Sequence, residues 1–415
     1  MKLEYKPINK LCILAVDCVN KTAPIVEYET PYKMIRTTNV KNGFIDLETV
    51  RYVEKKIFEK WTRRSKPKYG DVILTREAPV GSVGRFTSND KNVFLGQRLF
   101  HYRPNPKLLD WNYLAYILQS ESLQGWLHGI AFGATVPHVT VADAEKIKIP
   151  YRSIDIQKKI GKILSNYDDL IENNLKRIKL LEESAKLTYE EWFLRFRIDG
   201  KKLDIDSETG LPFGWEKKSI TDFKSFQQDK SKVKKFDGEK RYLATADIDK
   251  TFIVSDGEMI TWENKPSRAQ IVPSKHSVWF ARMSNTYKVL CITSKDEKLQ
   301  DNIVISSGFA GFKTKSALYL PFLYYTINSK LFHELKDLYS TGATQVSLTN
   351  ESMKFIKLIE PDINTIKNFG KLILPIIDNI SILGQQNNLL KEARDILLPR
   401  LMTDKIDVEN LEVKL

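Results

Sequence analysis

Residues 154–197 read IDIQKKIGKILSNYDDLIENNLKRIKLLEESAKLTYEEWFLRFR. Positions 164, 171, 178, 185 and 192 hold Leu, Ile, Ile, Ala and Trp, and positions 160, 167, 174 and 181 hold Ile, Tyr, Asn and Leu. Apolar residues returning every seven, with mixed charges between them, are the pattern of a helix packed along one seam against another helix. The spacing predicts a helix from Ile154 to about Arg197, capped by Ser153 or Asp155 and stopped before Gly200. At 1.5 Å per residue such a rod is roughly 60 Å long. Its seam would face water without a partner helix.

The chain supplies that partner. Positions 369, 376, 383, 390 and 397 are Phe, Ile, Leu, Leu and Leu, and Asp362 stands where a cap belongs. Pro375 cannot donate a backbone hydrogen bond, so either this helix bends there or its regular part begins near it. The simplest packing sets the two rods against each other, antiparallel. Ile171, Asn174, Ile178, Trp192, Leu383 and Leu390 then lie in the seam, and Asn174 and Asn387 are polar positions that fix register. The adjacent acids Asp168-Asp169, Glu182-Glu183 and Glu190-Glu191 read as charge facing solvent.

The second rod is a copy of the first. Gly133-Ala134-Thr135 recurs 209 residues later as Gly342-Ala343-Thr344. The same displacement carries Tyr113-Leu114-Ala115-Tyr116 onto Phe322-Leu323-Tyr324-Tyr325, Ser120 onto Ser329, Ile147-Lys148-Ile149 onto Ile356-Lys357-Leu358, and Gly161-Lys162-Ile163 onto Gly370-Lys371-Leu372. A fainter echo runs upstream. So long a period is a duplicated domain and not a solenoid. Each half is a variable lobe followed by a better-kept rod. Within the lobes, Val72-Ile73-Leu74-Thr75, Ser277-Val278-Trp279-Phe280 and Lys288-Val289-Leu290-Cys291-Ile292 read as strands. Asp110 to about Leu127 and Tyr319 to Leu338 read as helices, and Gly70-Asp71 and Gly81-Ser82-Val83-Gly84 as turns. The fold class is therefore α+β.

The 415 residues are 42% hydrophobic and carry a formal net charge of +13, enough apolar matter for sizeable cores and an excess that draws polyanions. Cys12, Cys18 and Cys291 cannot pair fully and form no CxxC, which argues for a reducing compartment. With no signal-like start and no apolar run of about 20 residues, a cytoplasmic protein with no membrane partner is expected. Basic residues mix with polar ones at Lys60-Trp61-Thr62-Arg63-Arg64-Ser65-Lys66-Pro67-Lys68 and at Lys230-Ser231-Lys232-Val233-Lys234-Lys235. Lys and Arg neutralise phosphates, whereas Arg, Asn, Gln, Ser and Thr reach base edges. Any one such run is equally what a solvated face looks like. There is no GxxxxGK[ST], GxSxG or HExxH, and the five histidines have no metal-ligand spacing. No catalytic residue and no metal site is assigned.

Further motifs point to a family. Asp168-Asp169-Leu170-Ile171-Glu172-Asn173-Asn174 followed by Tyr189-Glu190-Glu191-Trp192-Phe193 resembles the central conserved region of type I restriction–modification specificity subunits. Leu211-Pro212-Phe213-Gly214-Trp215-Glu216 resembles the lead-in to their second target-recognition domain, and Gly70-Asp71-Val72-Ile73-Leu74-Thr75-Arg76-Glu77 a segment of the first. Leu95-Gly96-Gln97-Arg98 and Leu397-Leu398-Pro399-Arg400-Leu401 fit as well. The second lobe departs in two places: Ala281-Arg282-Met283-Ser284-Asn285 replaces the Thr-Arg-Glu turn, and Gln345-Val346-Ser347 replaces Val136-Pro137-His138.

The resemblance implies two duplicated α/β target-recognition domains, separated by two long antiparallel coiled-coil helices in a pseudo-twofold arrangement. Residues 1–150 would be the first such domain, 151–199 the central helix, 200–360 the second domain, and 361–415 the distal helix and tail. Each lobe would read one half of an asymmetric bipartite site in double-stranded DNA. The helices would set the spacer and dock two modification (methyltransferase) subunits, with restriction/translocase subunits completing the complex. The chain itself would be no enzyme and would bind no cofactor; S-adenosylmethionine, ATP and Mg²⁺ belong to the partner subunits. Residue type and position in the family nominate Arg63, Arg64, Lys66, Lys68, Thr75, Arg76, Gln97, Arg98, Thr135 and His138 for DNA contact in the first lobe. Lys230, Lys232, Lys234, Arg282, Asn285, Thr344 and Gln345 are the nominees in the second. The alternatives are a coiled-coil scaffold whose basic lobes bind nucleic acid or protein without sequence specificity, and an enzyme of unknown mechanism.

Overall fold

β-Branched and aromatic runs too short for helices build the sheets. The computed structural model describes residues 4–409 and 411, other than 20, 42, 132, 134–136, 297–301 and 343–345. The chain divides into two units, Met1–Glu172 with Asn388–Leu415, and Asn173–Asn387. In the first, the wholly buried strand Asp71–Thr75 lies at the centre of a six-stranded sheet in the order Cys12–Asp17, Leu99–Pro104, Asp71–Thr75, Val83–Phe86, Gly43–Ile45, Val40–Lys41. A smaller sheet pairs Lys33–Ile35 in parallel with Val93–Leu95. In the second unit Ser277–Ala281, again wholly buried, sits between Phe309–Thr314 and Val289–Ile292. Lys240–Leu243 pairs in parallel with Ile303–Ser306. The duplication seen in sequence is thus a duplication of strand order. Strands depart from it in two places: Gly43–Ile45 joins the large sheet of the first unit, whereas Phe252–Ile253 pairs only with Ile248–Asp249, and Ala269–Ile271 adds a fourth strand to the second unit's sheet of Lys240–Leu243 and Ile303–Ser306.

The helices are α1 (Lys55–Trp61), α2 (Trp111–Gln119), α3 (Glu121–Ile130), α4 (Val141–Glu145), α5 (Ile154–Tyr189), α6 (Leu320–Ile327), α7 (Lys330–Leu338) and α8 (Ile363–Met402). Three expectations need correcting. The single helix expected over 110–127 is α2 and α3, broken at Ser120, and its echo is α6 and α7, broken at Asn328-Ser329. The repeated serine explains both breaks: its backbone is extended, and its hydroxyl returns to the preceding helix, Ser120 Oγ donating to the Ile117 carbonyl and Ser329 Oγ to that of Thr326. α5 stops at Tyr189 and not near Arg197, passing into a π-helical turn, Glu190–Leu194, that seats Trp192 and Phe193 in the aromatic core of the second unit. Gly84 lies within strand Val83–Phe86, so the turn is confined to Gly81-Ser82.

Ser153 starts α5, its hydroxyl accepting from Ile156 N at 3.4 Å; Asp362 starts α8, accepting from Asn364 N and Thr365 N. α8 runs unbroken through Pro375. Along α5, Leu164, Ile171, Ile178 and Ala185 are buried as the heptad requires. Along α8 the buried row is Ile366, Phe369, Ile373, Ile377, Leu383 and Asn387, while Ile376 and Leu390 are only half-buried. A helix of 3.6 residues per turn drifts about 20° per heptad, which moves the seam from Ile376 to Ile377. In each unit rising numbers on α5 meet falling numbers on α8. In the first, Arg152 donates to the Met402 carbonyl at 2.8 Å and Arg394 pairs with Asp168 at 2.6 Å. In the second, Asn174 Nδ2 donates to Asn387 Oδ1 at 3.0 Å and the rings of Trp192 and Phe369 lie 5.7 Å apart. The helices are antiparallel.

Candidate nucleic-acid interface

Leu99 pairs with Thr75, so the loops leaving that end of the first sheet share one rim. Thr75 is buried, its hydroxyl donating to the Pro79 carbonyl and accepting from Ser82 N, which closes the 76–82 loop at Gly81 (φ +87°). Arg76 N donates to the Arg98 carbonyl and its own carbonyl accepts from Val139 N; its guanidinium folds back onto the Val139 carbonyl at 2.8 Å. The nearly buried arginine therefore clamps three loops together: 76–82, 96–98 and the one containing Gly133. Above the clamp, Arg98 pairs with Glu77 at 3.1 Å and Glu77 bridges His138. Gln97 accepts from Thr22 at 3.3 Å, and Arg64 reaches Asp17 and the Cys18 carbonyl nearby.

The second unit repeats the frame with other side chains. Arg282 N donates to the Gly308 carbonyl, its carbonyl accepts from Leu348 N, and its guanidinium binds the carbonyls of Leu348 (3.0 Å) and Phe309 (3.0 Å) and Asn350 Oδ1 (2.7 Å). Burial pulls Arg282 below the ordinary arginine value, with Glu351 opposing. Met283 and Ser347 bridge where Glu77 and His138 do. Gly133 (φ +124°) and Gly342 (φ +138°) hold the repeated position in a conformation open to glycine alone. Here α7 adds supports of its own: the buried Lys336 ammonium donates to the Met283 carbonyl at 2.8 Å, and Asp337 accepts from Asn285 N at 3.0 Å. Just behind, on the same helix, burial and the neighbouring Lys336 pull the His333 imidazole down to about 4.

The expected contact residues accordingly separate. Thr75, Arg76 and Arg282 fasten the rim from within: the Thr75 hydroxyl, one amino group of Arg76 and the Arg282 guanidinium bond to protein. Arg64, Gln97, Arg98 and His138 are brought together on it in the first unit, and Asn285 stands on it in the second. Arg63 is exposed beside Arg64, while Lys66 and Lys68 lie away from the rim, the Lys66 carbonyl accepting from Arg103 and Lys68 N donating to Asp71 at the far end of the strand. Lys230, Lys232 and Lys234 share one face of an extended segment, exposed in alternation with Ser231 and Val233. Thr135, Thr344 and Gln345 lie outside the described residues.

Sequence reasoning misjudged Asp168. It is 0% exposed and accepts from Arg85 (3.1 Å), Arg394 (2.6 Å) and the Tyr116 hydroxyl (2.5 Å), tying a sheet strand, α2, α5 and α8 of the first unit into one ionic hub. The equivalent positions of the second unit are Cys291, Ala185, Tyr325 and Ile377, where no acid or arginine remains. Asp71 is the other buried acid of the first sheet. Burial opposes its ionisation, but hydrogen bonds from His101 and Arg103 hold its carboxyl below the ordinary value. Lys336, Asp337 and Asn350 were also missed; on sequence they are ordinary polar residues of a helix and a loop. Among the described residues no group of three or more His, Cys, Asp or Glu is placed to hold a metal, and no helix is long and apolar enough to cross a membrane.

Residues 20–183 match the model of the type I restriction modification DNA specificity domain. That match spans the first lobe and most of the first long helix, and the whole-length likenesses are to type I restriction–modification specificity subunits. Over 399 residues, 87% of the chain and 83% of the relative, it is 25% identical to the type I restriction enzyme MjaIX specificity subunit of Methanocaldococcus jannaschii. It is 22% identical to the HindI specificity subunit of Haemophilus influenzae over 82% of the chain and 87% of the relative. The crystal structure of the S subunit of a type I restriction-modification system from M. genitalium covers 96% of both chains with a TM-score of 0.59 at 16% identity, a likeness of fold. The matched relatives are named as specificity subunits, and the matched domain as a DNA specificity domain.

Proposed function

We propose that this protein is a specificity subunit that selects the DNA site at which a type I restriction–modification complex acts, each lobe reading one half of an asymmetric bipartite target. The reading rests on one observation: both units carry the same arginine-clamped loop rim, dressed with different side chains. A shared frame suits a shared task, and Glu77, Arg98 and His138 against Met283, Asn285 and Ser347 suit different base edges. The helices set the spacer between half-sites and dock two modification subunits. Exposed apolar residues in repeat-related places support the docking, Leu180 and Leu187 in the second unit and Leu389 and Ile396 in the first. The modification subunits bring S-adenosylmethionine for adenine methylation and flip the target base; restriction subunits bring ATP and Mg²⁺. The complex works on double-stranded DNA in the cytoplasm. The test is the host's genome-wide adenine methylation with the gene intact and deleted. Loss of one gapped, bipartite motif is expected; with the modification subunits shown to be expressed, an unchanged pattern would sink the proposal.

A further inference from the structure

A cleft of about 630 Å³ opens in the second unit between Thr221, Gln227, Gln228, Lys230, Ser231 and Lys313. Its wall offers amide, hydroxyl and ammonium donors. Of the acids at hand, Asp229 is turned inward and already engaged, Oδ1 accepting from Ser231 N and Oγ and Oδ2 from Ser274 N, while the exposed Asp222 accepts from the Thr221 hydroxyl at 3.2 Å. Lys313 approaches Asp229 only at 3.5 Å, and Lys230 is exposed and makes no ion pair among the described residues. The cleft adjoins the recognition rim. Gln228 Nε2 donates to Asn350 Oδ1 at 3.0 Å, and the same oxygen accepts from the clamp residue Arg282. In the first unit the neighbouring arginines are engaged. Arg103, which stands where Lys313 does, is locked onto Asp71 by two hydrogen bonds, and Arg64 pairs with Asp17.

We infer that this cleft holds a phosphodiester of the DNA backbone beside the half-site read by the second lobe, with Lys230 and Lys313 neutralising it and Gln227 and Ser231 donating hydrogen bonds. The inference rests on the DNA-reading function proposed above. A phosphate contact positions the protein without choosing a sequence, so its removal weakens binding equally on all sequences and lowers the salt dependence. The experiment titrates the full chain, assembled with its modification subunits, against a duplex carrying the methylated motif and against a scrambled duplex at several salt concentrations. For Lys230→Gln/Lys313→Gln the slope of log affinity on log salt is expected to shrink by about one to two, with the ratio between the two duplexes unchanged. Gln227→Glu, at an exposed position, is expected to act likewise, and Lys230→Arg/Lys313→Arg to restore the slope. An unchanged slope, or a loss confined to the motif duplex, overturns the phosphate assignment and leaves the DNA-reading function standing. A wild-type complex that binds both duplexes equally overturns that function, and this inference with it.

Discussion

Asp168 shows how one residue can be misread from its neighbours. In a charged heptad helix an Asp-Asp pair reads as solvent charge, and nothing local announces that Arg85, Tyr116 and Arg394 converge on it from distant segments. Removing one partner of a buried ion cluster strands the others, so Asp168→Ala is expected to cost about 3–5 kcal/mol in urea denaturation. The second unit fills the same place without charge. Arg85→Cys/Asp168→Ile/Arg394→Ala, which copies it, is expected to lose less than the single change; a larger loss would show that the hub contributes beyond satisfying its own charges. His333 supplies a pH test. Its folded value is about 4, below the ordinary 6.5, because burial disfavours the imidazolium. Above pH 6.5 the group is neutral in both states and costs nothing. Between 6.5 and about 4 the unfolded chain takes a proton that the folded one refuses, so stability falls as pH falls, and below about 4 this loss is complete. His333→Phe is expected to narrow the drop in urea midpoint between pH 7 and pH 5; an equal drop in both proteins would remove His333 as its source.

Among elements, the two long helices and the duplication were legible because a seven-residue period and one displacement held over many residues leave a strong signal. The break between α2 and α3 was not, since Ser120 ends a helix through a hydroxyl contact that composition does not reveal. The clamps were half legible: the arginines were picked out by type and position, but their hydrogen bonds to three loops were not visible in the sequence. The repeated glycine of the rods now has a reason. A Cβ on Gly370 would lie 1.9 Å from the Leu318 carbonyl oxygen, and one on Gly161 2.6 Å from Asp110 Oδ1, so each rod presses its glycine against the segment leading into α2 or α6. Gly384, farther along α8, meets nothing within 4 Å. Gly384→Ala is therefore expected to raise thermal stability by up to about 1 kcal/mol. Gly370→Ala is expected to lower it by about 1–3 kcal/mol, because a backbone carbonyl cannot step aside as a side chain can. A gain at both positions would refute the close approach.

For the whole molecule, the proposed function joined to a duplicated frame with divergent rims implies that the half-sites are separable. Replacing residues 1–150 with the first lobe of another specificity subunit is expected to change one half of the methylated motif and leave the other; a change in both halves, read from the host methylome, would contradict independent reading. The base sequence itself was never legible, because it depends on a docking pose that no code of side chains supplies. The ionic hub adds a consequence for lobe order. Consider an exchange of the two lobes, the first into the second position and the second into the first. Arg85 would then face Ala185 and Ile377, and the recipient Asp168 and Arg394 would lose their strand partner. Both products carry uncompensated buried charge, so most exchanges of this kind yield chains that fold poorly. A first lobe that carries an arginine at the place of Arg85 keeps the hub intact. The junction thus works as a key that fixes the order in which the two lobes are strung.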